Sequence, residues 1–234
     1  MALAFPTTTT TGRTASATTH VSNLASGSAD ELLVVAYMSA DSNKYLLVPS
    51  GWDGEWHTNE GAGNGLIGFV YKETDGGEGS TETFTYDTTS NTASSVSFRV
   101  TGHDVADPFN TNNYVGEAEA SEDPWTTASG LLTGINNSDS NIILVGTAQA
   151  SRAITTKDSG LTLIDSNLSG DSVHVLRETS PGSSNSAYSN DMVSAWQWLT
   201  FLLEIKAASA GSGRIMGSLI GPGGMIGSNG GLIR

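Results

Sequence analysis

Cysteine is absent from this chain of 234 residues. That excludes a disulfide framework, a thiolate zinc site and a cysteine nucleophile. Basic residues are scarce, 10 Lys+Arg against 24 Asp+Glu, for a formal charge of −14. A protein that tracks phosphates needs a positive surface, so no nucleic acid is expected as a partner. No apolar run approaches the roughly 20 residues of a membrane span, so no membrane insertion is expected. The start, MALAFPTTTTTGR, lacks a basic n-region and an apolar h-region and is not read as a secretory signal. There are four histidines, His20, His57, His103 and His174, and none has the i, i+2 or i, i+4 spacing of a metal pair. No metal and no cofactor are expected. What fills the chain is small and neutral: 31 Ser, 27 Thr and 28 Gly make 86 of 234 positions.

The strongest organisational signal is internal repetition. Glu31–Ala40 (ELLVVAYMSA) matches Asn141–Ala150 (NIILVGTAQA), and PSGW at 49–52 matches DSGL at 158–161. FVYKETDGGEGS from Phe69 matches HVLRETSPGSSN from His174. Each half closes on an alternating strand, through Val96, Phe98 and Val100 or Leu199, Phe201, Leu203 and Ile205. The offsets drift through 110, 109, 105 and 103 residues, as small loop differences between duplicated halves would make them. The apolar runs are short, rich in β-branched residues and bounded by Gly, Ser, Asn, Asp and Pro. Asp191–Lys206 is the best helix candidate, but its alternation at Trp196 and Trp198 reads as strand. The expected fold is all-β, a two-sheet β-sandwich or jelly roll with Ser and Thr on its outer faces. The domain spans 1–208, with half-repeats at about 14–105 and 130–207. Thr7–Thr19 reads as an edge strand or a loose arm.

Residues 209–234 differ in kind. Ile215, Leu219-Ile220, Met225-Ile226 and Leu232-Ile233 recur among Gly, Ser and Pro. Such a segment cannot bury a core of its own. It reads as an anchoring or oligomerising tail. Its partner-binding residues are Ile215, Leu219, Ile220, Met225, Ile226, Leu232 and Ile233.

Little else carries chemistry. The glycines at Asp75-Gly76-Gly77 and Gly79 lie between two strands, so hairpin geometry explains them and no phosphate cradle is implied. With no G-x-S-x-G elbow, a serine nucleophile has no sequence signal. His103, Asp104 and Asp107 in GHDVADP form a polar cluster read as a turn-making loop. Glu117, Glu119, Glu122 and Asp123 are read as a solvated linker between the halves rather than as a glycosidase pair or calcium site. The chain is therefore read as no enzyme. Trp52 is expected as a core plug, with Leu161 as its counterpart. Trp56 and Trp125 are the candidate stacking platforms for a glycan.

The order ELLVVAYMSA, Pro49-Ser50-Gly51-Trp52, Tyr71-Lys72, Asp75-Gly76-Gly77-Glu78-Gly79 and Thr81/Thr83/Thr85 resembles the β-sandwich modules of tailed-bacteriophage virion proteins. The resemblance covers about residues 14–207 and leaves the tail aside. It implies a non-enzymatic virion structural protein, assembled in the host cytoplasm. The expected place is the capsid surface, as a decoration or head appendage held by its tail. Its partners would be other virion proteins or its own copies, a trimer among the possibilities. A tail-fibre or adhesin component that binds host-surface glycans is the alternative.

Overall fold

The computed structural model describes residues 2–14, 17–40, 47–58, 65–86, 92–110, 114–135, 139–148, 150–194 and 196–209, with backbone alone at 55–58, 114–122, 196 and 197. No helix forms among them. The first half contributes β1 (Thr8–Thr11), β2 (Thr19–Asn23), β3 (Leu32–Ser39), β4 (Asp53–Thr58), β5 (Leu66–Glu73), β6 (Thr81–Thr85) and β7 (Ala93–Val100). The second contributes β8 (Tyr114–Glu122), β9 (Trp125–Thr127), β10 (Asn141–Ala148), β11 (Ile154–Thr156), β12 (Leu161–Asn167), β13 (Ser172–Thr179), β14 (Tyr188–Met192) and β15 (Trp196–Ile205).

The duplication extends to every strand of the two large sheets, and among the described residues β11 alone has no counterpart in the first half. One five-stranded sheet runs β1-β7-β3-β5-β4, and the other, read from its far edge, runs β8-β15-β10-β13-β12. Each carries a small sheet, β2-β6 or β9-β14-β11. The repeat thus extends beyond 14–105 and 130–207, because β1, β8 and β9 belong to it. The Thr-rich start is a paired strand, with Thr8 opposite Phe98 and Thr11 opposite Ser95. The acidic stretch 114–122 is likewise no linker: it is strand β8, with Glu117 opposite Leu199.

The two large sheets pack face to face, and the packing is reciprocal. β7 meets β13 as β15 meets β5, and β3 meets β10. Such exchange of equivalent partners is the mark of an approximate two-fold, as in an isologous dimer fused into one chain. Val34, Ala36, Phe69, Val96 and Phe98 from one sheet close on Ile143, Val145, Val175, Phe201 and Leu203 from the other. Each well-buried side chain of this kind contributes about 1.5–3 kcal/mol before ordering costs.

The expected two-sheet sandwich is this central pair, and two further layers lie outside it. The outer face of the first sheet is covered by the small β2-β6 sheet, whose Phe84 packs with Leu33, Val35, Tyr37, Trp52 and Val70. The outer face of the second is covered over Ile142, Leu144, Leu176, Tyr188 and Trp198. This is why β3, β7 and β10 are buried at every position rather than at alternate ones. Ser95 and Ser97 therefore do not face solvent. Ser95 Oγ meets Ser22 Oγ at 2.8 Å, and Ser97 Oγ accepts the Ala25 N–H at 3.1 Å, each tying one layer to the next.

At one end the halves are also tied by polar contacts. Arg13 N–H donates to Ser169 O at 2.8 Å, and Asn167 Nδ2 donates to Thr11 O at 2.9 Å. Gly170, at φ +90°, makes the turn that permits this, since a Cβ there would fall 2.7 Å from Arg13 Cβ. The Asp171 carboxylate is enclosed beside it, 3.4 Å from Arg13 Nε, with no hydrogen-bond donor on either oxygen among the described residues. Burial pushes the Asp171 carboxyl above its ordinary value, and the Arg13 charge offsets only part of that. A raised carboxyl contributes its full stability below the unfolded value and loses it as pH rises through the folded one. Asp171→Asn should therefore raise the melting temperature at pH 7 by a few degrees, with the gain shrinking toward pH 4. A loss of stability at pH 7 would mean that the Arg13 pair outweighs the burial.

Candidate functional site

The polar side chains buried under the small sheets are spent on holding layers together. Arg99 lies on the outer face of β7, 2% exposed. Its Nε donates to Ala25 O at 2.7 Å and its Nη1 to Ser28 O at 3.0 Å. Glu31 Oε2 and Glu78 Oε2 stand 3.3 and 3.5 Å from the guanidinium. Burial alone would raise the Glu78 carboxyl. Backbone N–H groups, with Asp75 N at 2.9 Å, and the charges of Lys72 and Arg99 outweigh it and hold the group below its usual value. In the second half the equivalent place on β15 is Glu204, also buried, which accepts from Asn110 Nδ2 at 2.8 Å. The same position thus carries opposite charges in the two halves, each satisfied locally.

Two ring nitrogens occupy matching places. His20 Nε2 is 3.0 Å from Ser95 Oγ in the first half, and Trp125 Nε1 donates to Thr200 Oγ1 at 2.8 Å in the second. Trp125 is fully buried and stacks on Trp198 at 5.1 Å and 11°. It is therefore not a surface platform for a sugar. The acidic residues before it suggest a loop, but the cover over Gly146 makes the site interior. His174 is fully buried: Nε2 donates to Arg152 O at 2.7 Å, and Nδ1 lies 2.9 Å from Ser166 Oγ. Burial lowers the pKa of both His20 and His174 to about 4, although the His174 bond to Arg152 O opposes this.

Among the described residues an open concavity lies at one pole. It is a cleft of about 330 Å³ lined by Leu32, Asp53, Tyr71, Lys72, Glu73 and the wall Val105–Pro108. The wall is part of the GHDVADP loop. His103, buried in the same loop, has Nε2 2.6 Å from Oε1 of the lining residue Glu73. Asp104 Oδ1 accepts the Ala106 N–H at 3.0 Å, the turn-making role expected of it. Asp107 pairs with Lys206 at 2.6 Å. Lys72 is occupied too, 3.6 Å from Glu78 and 5.1 Å above the Trp52 ring. Asp53 stands exposed on β4 with no partner among the described residues. Tyr71 is held by Phe69 and, edge-on, by Phe109 at 4.4 Å. The two-fold repeats this contact, with the Arg177 guanidinium 4.7 Å over Phe5.

Among the described residues no group of three or more His, Asp or Glu is placed to hold a metal ion. Trp56 lies on edge strand β4 opposite Gly68; its side chain, and those of Glu117, Glu119 and Glu122, lie outside the described residues. So do the tail residues Ile215, Leu219, Ile220, Met225, Ile226, Leu232 and Ile233. Of the described residues named as candidates from the sequence, Asp107 of the GHDVADP loop lines this cleft and Trp125 does not. The cleft as a whole has no signal in the sequence because its lining comes from separate stretches, Leu32, Asp53, Tyr71–Glu73 and Val105–Pro108. The GHDVADP cluster was its one visible corner. Comparison with models of known protein families, with curated proteins and with solved structures finds no match.

Proposed function

We propose that this chain is a non-enzymatic structural protein that acts by assembly. Its place is the surface of a tailed-phage virion, as a capsid decoration or head appendage held to neighbouring subunits by residues 209–234. The supporting observation is how the buried polar groups are used. Arg99, His20 and Trp125 tie layer to layer, and His174 and Glu204 are held by neighbouring strand and loop residues, while residues 206–208 lie against the 102–108 loop at one pole, where Ala208 N–H donates to Gly102 O at 2.8 Å. A duplicated sandwich of this kind is a rigid body to display, and the apolar pairs beyond it suit a groove on another subunit. The resemblance of the PSGW, Tyr71-Lys72 and Asp75–Gly79 segments to phage sandwich modules supplies the setting.

Deleting residues 211–234 should leave the body folded and reduce its occupancy in particles at least about tenfold, since several anchors act together. Quantitative gels of purified particles read this. Unchanged occupancy would overturn the anchoring role, and tens of copies or fewer per particle, rather than hundreds, would move the chain from capsid to tail. The alternative adhesin reading draws on the edge position of β4, which carries Trp56. Glycan binding that disappears on Trp56→Ala would favour it.

A further inference from the structure

The cleft at the pole is pre-formed. Its wall is fixed by backbone bonds, since Asp104 N–H donates to Lys206 O at 2.9 Å and Lys206 N–H donates to Pro108 O at 2.8 Å. Its Tyr71 ring is fixed by Phe69 and Phe109. The lining carries three carboxylates, Asp53, Glu73 and Asp107, against one cation, Lys72. Lys72 is engaged with Glu78 and the Trp52 ring. Glu73 has His103 beside it, and Asp107 has Lys206. Asp53 is exposed, with no partner among the described residues. We infer that the cleft takes an arginine side chain of another protein, its guanidinium on the Asp53 carboxylate beside Tyr71 and its stem along Val105 and Pro108.

The second half of the molecule shows what belongs at this position. Tyr71 pairs with Val34 on β3, and Arg177 pairs with Ile143 on β10, two core positions that correspond. Phe5 and Phe109 correspond as well. Each follows a residue whose carbonyl accepts the N–H just past β7 or β15, Ala4 O from Thr101 and Pro108 O from Lys206. In the second half the cation is built in: the Arg177 guanidinium lies 4.7 Å over the Phe5 ring, and the edge strand beside it carries neutral Thr162. In the first half Tyr71 stands in place of that arginine and Asp53 in place of that threonine. The first half therefore keeps the aromatic group, gains a carboxylate and lacks the cation. An arginine from outside completes the set. Its planar fork meets a carboxylate in two parallel bonds, and its charge is drawn to aromatic rings. Its methylene stem covers apolar surface while the head stays polar. Val105, 49% exposed, and Pro108 supply that surface. The formal charge of −14 adds a field that steers cations toward the protein. The site lies on the body and does not depend on residues 209–234.

The probe that tests this is acetyl-arginine methylamide, titrated into the full-length protein at low salt and followed by backbone amide chemical shifts. Saturable shifts should centre on residues 53, 71–73 and 105–108. Acetyl-citrulline methylamide has the same shape without the charge, and it should bind at least about tenfold more weakly because the charge-assisted pair is lost. Asp53→Asn should weaken binding of the arginine probe at least about fivefold, the effect of an exposed ion pair of good geometry. Its melting temperature should not change, since the side chain is exposed. Asp191→Asn, at an exposed position on β14, should leave binding unchanged, which separates the cleft from general attraction to an acidic surface. Shifts that spread over the surface without saturating, or an equal loss in Asp191→Asn, would overturn the proposal. Citrulline binding as tight as arginine binding would also overturn it, by making the cleft an apolar groove. The readout uses the isolated protein, so it can fail while particle anchoring stands, and the reverse.

Discussion

Gly146→Ala is expected to destabilise the protein by about 3 kcal/mol or more, although alanine in a strand normally outperforms glycine. The reason is Trp125. A Cβ at Gly146 would lie 2.0 Å from Trp125 Cη2 and 2.3 Å from Cζ2. The ring cannot retreat: its other face is against Trp198, and its Nε1 is held by Thr200. The first half solves the same packing problem in reverse. There β3 carries buried Tyr37 at the place of Gly146, and β2 carries the smaller His20 at the place of Trp125. Volume is thus exchanged between facing strands. Chemical denaturation of Gly146→Ala reads the first effect. Gly146→Ala/Trp125→His should recover a good part of the loss, giving a coupling well above the few tenths expected of independent sites. If Gly146→Ala stays within about 1 kcal/mol of the parent, the ring has room to move and this account is wrong. If it fails to fold, the same alanine introduced into Trp125→His keeps the comparison measurable.

That exchange also shows where the sequence could be read and where it could not. The all-β class and the two halves follow from the apolar runs and their turns. PSGW and DSGL are indeed equivalent: Trp52 N–H donates to Pro49 O, and Leu161 N–H donates to Asp158 O, both at 3.1 Å. Leu199, Phe201, Leu203 and Ile205 alternate into the shared core as read. Register was the weak point. Val34 and Ala36 face the shared core as Ile143 and Val145 do, and Phe69 as Val175 does, so β3 and β10 are offset by 109 residues and β5 and β13 by 106. Matching ELLVVAYMSA with NIILVGTAQA, and KET with RET, sets these at 110 and 105. A slip of one residue exchanges the two faces of a strand. Alternation normally prevents it, but these strands are buried on both faces and show none. The small outer sheets were illegible for the same reason, since their covering role has no signature on the strands they cover. One available signal was Gly146 itself, because a glycine inside a buried strand marks the close approach of something large.

The second large effect is the response to acid. His20 and His174 are buried neutral, each with its pKa lowered from 6.5 to about 4, chiefly by desolvation. The unfolded chain takes up protons on both as pH falls below 6.5, and the folded chain does not until about 4. Their stabilising contribution is therefore complete above pH 6.5 and is lost progressively down to about 4. Each is worth on the order of 3 kcal/mol across that window. Two other groups bend the curve. Asp171 acts in the opposite sense, since protonating a raised carboxyl relieves the folded state. Glu78, held low, adds its own loss only below the ordinary carboxylate range. The histidines act over the window that matters, and they lie in different halves, so their effects should add. The melting temperature should fall by about 10–20 °C between pH 7 and pH 4.5 for a protein of this size. His20→Gln and His174→Gln should each flatten part of that fall, because an amide can still reach Ser95 Oγ or Arg152 O without titrating. A fall that persists undiminished in the double variant would place the acid sensitivity in the carboxylates. A curve that is flat in the parent would mean that the imidazoles are hydrated in the folded state.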